Sequence, residues 1–303
     1  MNKKVKLVVV GSIGIDTIKT TTEKKENILG GSASYACVAA AFYTDVGMIG
    51  VVGTDFPSSF RKIWEDMSVN LDGLQTEGGK TFRWCGEYEE NMDNRHTLST
   101  ELNVFENFKP LIPKSYKDTP YLFLGNIHPK LQLDVLSKIN TPKFILIDTM
   151  DLWIKIAKKE LQEVISKSTM LTLNESEAQL FTNKKNMISA AKELLSLGPK
   201  YILIKKGANG AILYSKDSIF LVHAYPVENC CDPTGAGDSF AGGLMGFLAQ
   251  NDIVNDHNIK TAITYGTVTA SFGIEEFSLD KFQEIKKEDI DKRFSDFSKM
   301  FMI

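Results

Sequence analysis

Short apolar runs recur along this chain with helix-like patterns between them, and no other feature restricts its fold as tightly. Runs at 5–10, 45–52, 121–125, 144–148, 170–173 and 201–205 have the length and content of buried strands. The stretch 32–42 is Ala-rich and follows Gly30-Gly31, as a loop feeding a helix would. Met187, Ala190, Ala191, Leu194 and Leu195 recur at the spacing of one helical face. Strands separated by helices imply parallel βαβ units with helices on both faces of the sheet. The expected fold is therefore α/β: a three-layer, doubly wound and mainly parallel sheet. Segments 17–27 and 81–102 break the rhythm, since they carry strand-like residues with no helix between. They are expected to form a small second sheet, over about 13–28 and 79–104, inserted in one unit spanning 1–303.

Composition narrows the function classes. With 43% hydrophobic and 24% charged residues, the chain can bury a sizeable core and is not disordered by composition. A formal net charge of −3 gives no basic footprint for nucleic acid. Cys37, Cys85, Cys230 and Cys231 contain no CxxC pair and read as a reduced, cytoplasmic set. The four histidines are scattered, with no HExxH, so no protein-built zinc site is expected. No run of 18 apolar residues exists, so no membrane span is expected. The apolar run 7–10 is too short for a secretory leader, with Gly11 ending it and Asp16 following.

The strongest local signal is Asp232-Pro233-Thr234-Gly235-Ala236-Gly237-Asp238. A helix is expected to follow, to about Gln250, with Phe240, Leu244, Phe247 and Leu248 on one face. A helix start offers unpaired N–H groups and the positive end of the macrodipole. Small residues let an anion approach that backbone, which suits a phosphoryl group in flight. Asp238 in the first turn could orient an attacking hydroxyl and take its proton late, as a carboxylate with an ordinary pKa of about 3.9 can. The competing reading is a Gly-rich turn with an acid that merely suits the dipole. Gly242, Gly243 and Gly246 inside the helix cost about 3 kcal/mol together against Ala, which tight packing alone could require. On physics alone the two readings stand level.

The segment resembles the C-terminal signature of the ribokinase-like, or PfkB, carbohydrate and nucleoside kinase family, without a gap over more than a dozen positions. The resemblance implies that Asp238 is the catalytic base and that Gly235, Ala236 and Gly237 form the anion hole. It places Asp232 and Thr234 where the family often binds a monovalent cation such as potassium. It also implies a small β-sheet lid and a homodimer contact through it.

Other positions fit the same resemblance. Asn174 and Glu177 are spaced as a capping box, which alone explains both. In the family an Asn-x-x-Glu motif stands here, so Asn174 would face ATP and Glu177 would hold magnesium through water. Lys205-Lys206-Gly207-Ala208-Asn209-Gly210 resembles the turn bordering the nucleotide. Lys205, Gly207 and Gly210 are thereby ATP-binding candidates, with Gly235 and Gly237, and Lys206 reads as a solvated lysine. Asp16 would bind substrate hydroxyls, and Gly30-Gly31 would line the substrate pocket. Two departures stand out. Relatives carry an Asn shortly after the Gly pair, where this chain has Ser32-Ala33-Ser34-Tyr35. Relatives also carry an Asn and an Arg after the strand at 144–148, where this chain has Asp151 and no nearby Arg. Residues 148–153 are read as pocket wall.

Gly78-Gly79-Lys80-Thr81 is not a P-loop, because Leu74 stands where the first Gly is required. In 81–84, Phe82 and Trp84 alternate with Thr81 and Arg83. The aromatic pair reads as lid packing before a stacking platform, and the other face as turned to solvent or a partner subunit. The expected activity is ATP- and Mg2+-dependent phosphorylation of a hydroxymethyl group on a small sugar, with a ribonucleoside as the alternative. A nucleotide-binding sensor and a phosphatase with the same anion hole are the rivals. The intact Asp238 argues against the first, and the ATP-contact positions against the second.

Overall fold

The computed structural model describes residues 4–92 and 94–301, so residue 93 of the expected lid lies outside it. Its strands, in chain order, are β1 (Leu7–Val10), β2 (Gly14–Lys19), β3 (Lys24–Gly30), β4 (Val46–Gly53), β5 (Asn70–Glu77), β6 (Phe82–Tyr88), β7 (Arg95–Glu101), β8 (Tyr121–Leu124), β9 (Phe144–Asp148), β10 (Met170–Asn174), β11 (Tyr201–Lys205), β12 (Ala211–Tyr214) and β13 (Ile219–Val222). Nine of them make one sheet in the order β13-β12-β11-β10-β9-β8-β1-β4-β5. From β11 to β5 every pairing is parallel, and β12 and β13 add an antiparallel edge.

The reason for the continuous apolar runs is visible in where alternate residues go. Leu7 and Val9 join the core on one face of the sheet, and Val8 and Val10 join the core on the other. Tyr121 and Phe123 likewise oppose Leu122 and Leu124. A strand covered on both faces has no polar side, so its sequence does not alternate. Each such side chain contributes roughly 1.5–3 kcal/mol by burial. Helices Ser32–Ala41, Ala236–Asn251 and Asp256–Gly273 cover the first face. Helices Pro129–Lys138, Lys158–Ser166, Glu175–Thr182 and Met187–Leu195 cover the second.

The two segments that broke the sequence rhythm pair with each other. β3-β2-β6-β7 form a separate four-stranded sheet, the small β-sheet lid. Its β2–β6 pairing is parallel and sets Asp16 beside Trp84. Phe82 packs on Phe105 at 5.6 Å between ring centroids, and Trp84 joins a cluster with Ile18, Tyr88 and Phe277. The opposite face departs from expectation. Thr81 is fully buried, and its N–H and hydroxyl both donate to Asp55 Oδ1 at 2.7 Å. Arg83 donates to Asn27 and pairs with Asp55 at 3.4 Å, so these residues tie the lid to the core.

A second correction concerns helix Ala236–Asn251. The sequence suggests one apolar face, but the helix is buried almost all round, from Ser239 to Gly246. It lies between Ser32–Ala41 and Asp256–Gly273. A Cβ on Gly242 would sit 2.3 Å from the Ala36 carbonyl oxygen, and one on Gly243 would sit 2.8 Å from Thr269 Oγ1. The packing reading of these glycines therefore holds, and it accounts for their propensity cost without reference to catalysis. Among the described residues, no helix is long and apolar enough to cross a membrane.

Candidate active site

Three neighbouring parallel strands, β9, β10 and β11, end in Asp148, Asn174 and Lys205. The carboxyl edge of such a sheet is where its loops leave room for a ligand. Lys205 Nζ lies 3.1 and 3.2 Å from the two oxygens of Asp148. Burial alone would lower the Lys205 pKa, but the carboxylates of Asp148, Glu177 and Asp238 outweigh it and hold the ammonium charged. Asp148 is the central residue that sequence reading left as pocket wall. Its signal was its place at a strand end beside Asn174 and Lys205. Asp151, by contrast, is exposed and pairs with Lys155 at 2.6 Å.

Asn174 and Glu177 form the full capping box. Asn174 Oδ1 accepts the Glu177 N–H at 2.8 Å, and Glu177 Oε2 accepts the Asn174 N–H at 2.7 Å. Glu177 is buried, and burial pushes its pKa up to about 7 against the pull of Lys205. Lys206 pairs with Glu175 at 3.4 Å.

The Gly-rich turn sits directly opposite. Gly235 has φ 75, a left-handed conformation that favours glycine, and no side chain caps the helix it starts. The Ala236 N–H donates to the Pro233 carbonyl at 3.1 Å, and the first turn has no side-chain capping partner. A Cβ on Gly237 would lie 3.3 Å from Lys205 Nζ, which places the ammonium beside this turn. Asp238 stands in the first turn of the helix. Burial, aided by Asp148 and opposed by Lys205 and Arg95, raises its pKa to about 7.

A second acidic group lies on the lid side. Asp16 is buried on β2, and its Oδ1 has no hydrogen-bond partner. Burial pushes its pKa up to about 7, aided by Asp232 and Asp238 and opposed by Arg95. A Cβ on Gly30 would land 1.9 Å from Asp16 Oδ2, so Gly30 makes room for this carboxylate. Gly31, at φ 95, then opens helix Ser32–Ala41. Asp232 Oδ1 accepts the Thr234 N–H at 2.9 Å, while its Oδ2 is buried without a partner. Burial raises the Asp232 pKa against that hydrogen bond. Tyr88 from the lid shares a 3.0 Å hydrogen bond with the Thr234 hydroxyl. The Tyr35 ring packs under Gly235, where a Cβ would come within 2.3 Å of it. Tyr35 and Tyr88 were not found as site residues in the sequence. Each reaches the site only through tertiary contact.

Beside the turn is a cavity of about 570 Å³. Lys205, Gly207, Gly210, Gly237, Tyr225, Thr267 and Ser271 are among the residues that line it. The lid turn at Asn91 and Met92 also borders it. Asp16, Gly30, Gly31, Asn174, Glu177, Asp232, Thr234, Gly235 and Asp238 do not line this cavity. Among the described residues, no three His, Cys, Asp or Glu side chains converge to hold a metal ion.

The buried carboxyls give two pH responses of opposite sign. For Asp16, Glu177 and Asp238 the folded pKa of about 7 lies above the unfolded value, so the folded state binds more protons between the two. Stability of the ligand-free protein should therefore rise as pH falls from 8 to 6.5, and be lost as pH rises through 7. A melting temperature that climbs from pH 6.5 to 8 would contradict this. A base at Asp238 must instead be ionised, so kcat/KM should fall about tenfold per pH unit on the acid side of about 7, a limb shared by the coupled carboxyls.

Comparisons with known proteins bear on the family and on the fold. The model of the pfkB family carbohydrate kinases matches residues 4–285. A cytidine kinase of Thermococcus kodakarensis is 29% identical over 79% of this chain and 87% of its own length. A nucleoside kinase of Methanocaldococcus jannaschii is 22% identical over 75% of this chain and 72% of its own. Among solved structures, a putative ribokinase II from E. coli in complex with ATP and Mg2+ superposes with a TM-score of 0.80 at 17% identity, covering 96% of this chain and 99% of that one. At that identity the likeness shows the fold alone.

Proposed function

The chain belongs to the pfkB family of carbohydrate kinases and is a sugar or nucleoside kinase, and we propose that it moves the γ-phosphoryl group of ATP onto a hydroxymethyl group of a small uncharged acceptor. The observation that carries this reading is the placement of Asp238. It stands in the first turn of a helix with no side-chain cap, within the field of Lys205, and its neighbour Gly237 lines the cavity. ATP would lie in the cavity with its γ-phosphate toward the N–H groups of Gly235, Ala236 and Gly237. The acceptor would lie on the lid side with its hydroxyls on Asp16. Asp238 orients the attacking hydroxyl and takes its proton as the bond to phosphorus forms.

Magnesium fits the donor set present. It keeps many waters and borrows few protein ligands, and a divalent cation would favour the ionised form of buried Glu177. Glu177, through water, and Asp148 would hold it, and it would neutralise charge on the phosphates. The partnerless Asp232 Oδ2 supports a monovalent cation at Asp232 and Thr234.

Charge bears on the acceptor. Asp16, Asp232 and Asp238 crowd its side of the site, Arg83 is spent on Asp55, and Arg95 is the cation beside Asp16 and Asp238. A phosphorylated sugar would meet repulsion there. Sequence alone put a simple sugar first; the similarity to a cytidine kinase and a nucleoside kinase favours a ribonucleoside. The lid's outer strand β7 is exposed along all its residues and forms a sheet edge, which supports a homodimer through the lid.

The test is ATP consumption with Mg2+ over a panel of free sugars, sugar phosphates and ribonucleosides, with Asp238→Asn as the blank. Ribonucleosides should give turnover that the blank lacks. Turnover of sugar phosphates alone would overturn the uncharged acceptor, and a wild type equal to the blank throughout would overturn Asp238 as the base.

A further inference from the structure

Behind the part of the cavity wall made by Tyr225 and Ser271 lies Arg293, on helix Lys287–Lys299, past residue 285 where the family match ends. Its side chain is 17% exposed. The guanidinium carbon lies 3.3 Å from the Phe272 ring centroid and 4.9 Å from that of Tyr225. Nη1 donates to Ser271 Oγ at 2.9 Å, and Nη2 pairs with Glu275 at 2.8 Å. The Ser271 hydroxyl gives its own hydrogen to the Val268 carbonyl, so its oxygen is left to accept from the arginine. Phe297, one turn further on, packs against Tyr225 at 5.6 Å. Tyr225 and Ser271 are wall residues of the cavity. The C-terminal helix thus holds two parts of that wall, and Arg293 touches both.

Resting on the reading of this cavity as the ATP site, we propose that Arg293 is a positioning residue for the nucleotide. It fixes Tyr225 and Ser271 where the donor base lies, which makes docking of helix Lys287–Lys299 and binding of ATP one linked equilibrium. A planar cation is needed for this role. It can lie over two rings while its fork of N–H groups meets a hydroxyl and a carboxylate in the same plane, which a lysine cannot do. Linkage requires the reciprocal effect: if the docked helix strengthens ATP binding, ATP strengthens docking by the same factor. Arg293 stands behind the wall and has no part in the transfer step, so its loss should act on donor binding and spare the chemistry.

The experiment measures ATP affinity by calorimetry, kcat at saturating ATP, the KM of the acceptor, and hydrogen exchange of residues 287–299 with and without ATP. Arg293→Met keeps the length of the stem and removes the planar charge. It should weaken ATP binding about tenfold, within the usual range of a coupling between two linked equilibria. kcat and acceptor KM should stay within twofold, and Arg293→Lys should fall between. In the wild type, ATP should slow exchange across the helix. If Arg293→Met does not fold, Glu275→Gln leaves the guanidinium on its rings but frees its fork, and should weaken ATP binding about threefold. A folded Arg293→Met that binds ATP within twofold of wild type overturns the inference, as does a wild-type helix whose exchange ATP leaves unchanged. A wild type that binds no ATP overturns both the inference and the reading of the cavity beneath it.

Discussion

Replacing Asp238 by Asn should lower kcat by about 10²- to 10⁴-fold, the range of a lost general base, while ATP binds as tightly as before or more tightly. The two halves of this expectation come from different atoms. Asn has nearly the shape of Asp, so the helix start, the Gly235 turn and Lys205 keep their places. What disappears is the oxygen that can take the acceptor's proton. A carboxylate beside the γ-phosphate also repels it, and removing that charge favours the donor complex even as it stops the chemistry. Calorimetry for ATP and single-turnover kinetics with an active acceptor separate the effects. A kcat within tenfold of wild type would mean that another group accepts the proton. A parallel loss of ATP affinity would mean that the substitution had deformed the turn.

The second large effect is on stability, and its sign runs against helix propensity. Gly242→Ala in an exposed helix would stabilise by about 1 kcal/mol. Here the added Cβ would come 2.3 Å from the Ala36 carbonyl oxygen, a backbone atom that cannot rotate away. Helices Ala236–Asn251 and Ser32–Ala41 must therefore part, disturbing the packing of Phe240 and Leu244 beside them. Overpacking of this kind costs about 1–3 kcal/mol, or a fall in melting temperature of about 2–4 °C per kcal/mol. Differential scanning calorimetry reads it directly. A raised melting temperature would show that the two helices can slide apart freely. Because Asp238 lies one turn earlier on the same helix, kcat should fall as well, by less than in Asp238→Asn.

These expectations show how unevenly the chain discloses itself. The core strands were legible because burial on both sheet faces leaves an unbroken apolar run, as at Leu7 to Val10 or Tyr121 to Leu124. The second sheet was legible as an interruption of that rhythm. The Gly235 turn and Asp238 were legible because one short segment carries the whole motif. Asp148 was harder, since its meaning depends on Lys205, which is 57 residues away and meets it only when β9, β10 and β11 lie side by side. Tyr35, Tyr88 and Arg293 gave no local signal. Their side chains matter through neighbours on other elements, and aromatic or arginine residues at such spacings are ordinary in any core or surface. Gly242, Gly243 and Gly246 lie between these cases. The sequence marks them as costly in a helix, and only the facing backbone shows why the cost is borne.

The measurement that tests the central claim most directly is the identity of the phosphorus product. Wild-type protein, ATP and Mg2+ would be incubated with a ribonucleoside such as cytidine and followed by phosphorus NMR and mass spectrometry. The expected result is ADP together with a phosphate monoester of the acceptor in equal amounts, and neither with Asp238→Asn. ADP with inorganic phosphate and no ester, across ribonucleosides and free sugars alike, would contradict transfer to an acceptor hydroxyl and leave an ATP hydrolase in its place.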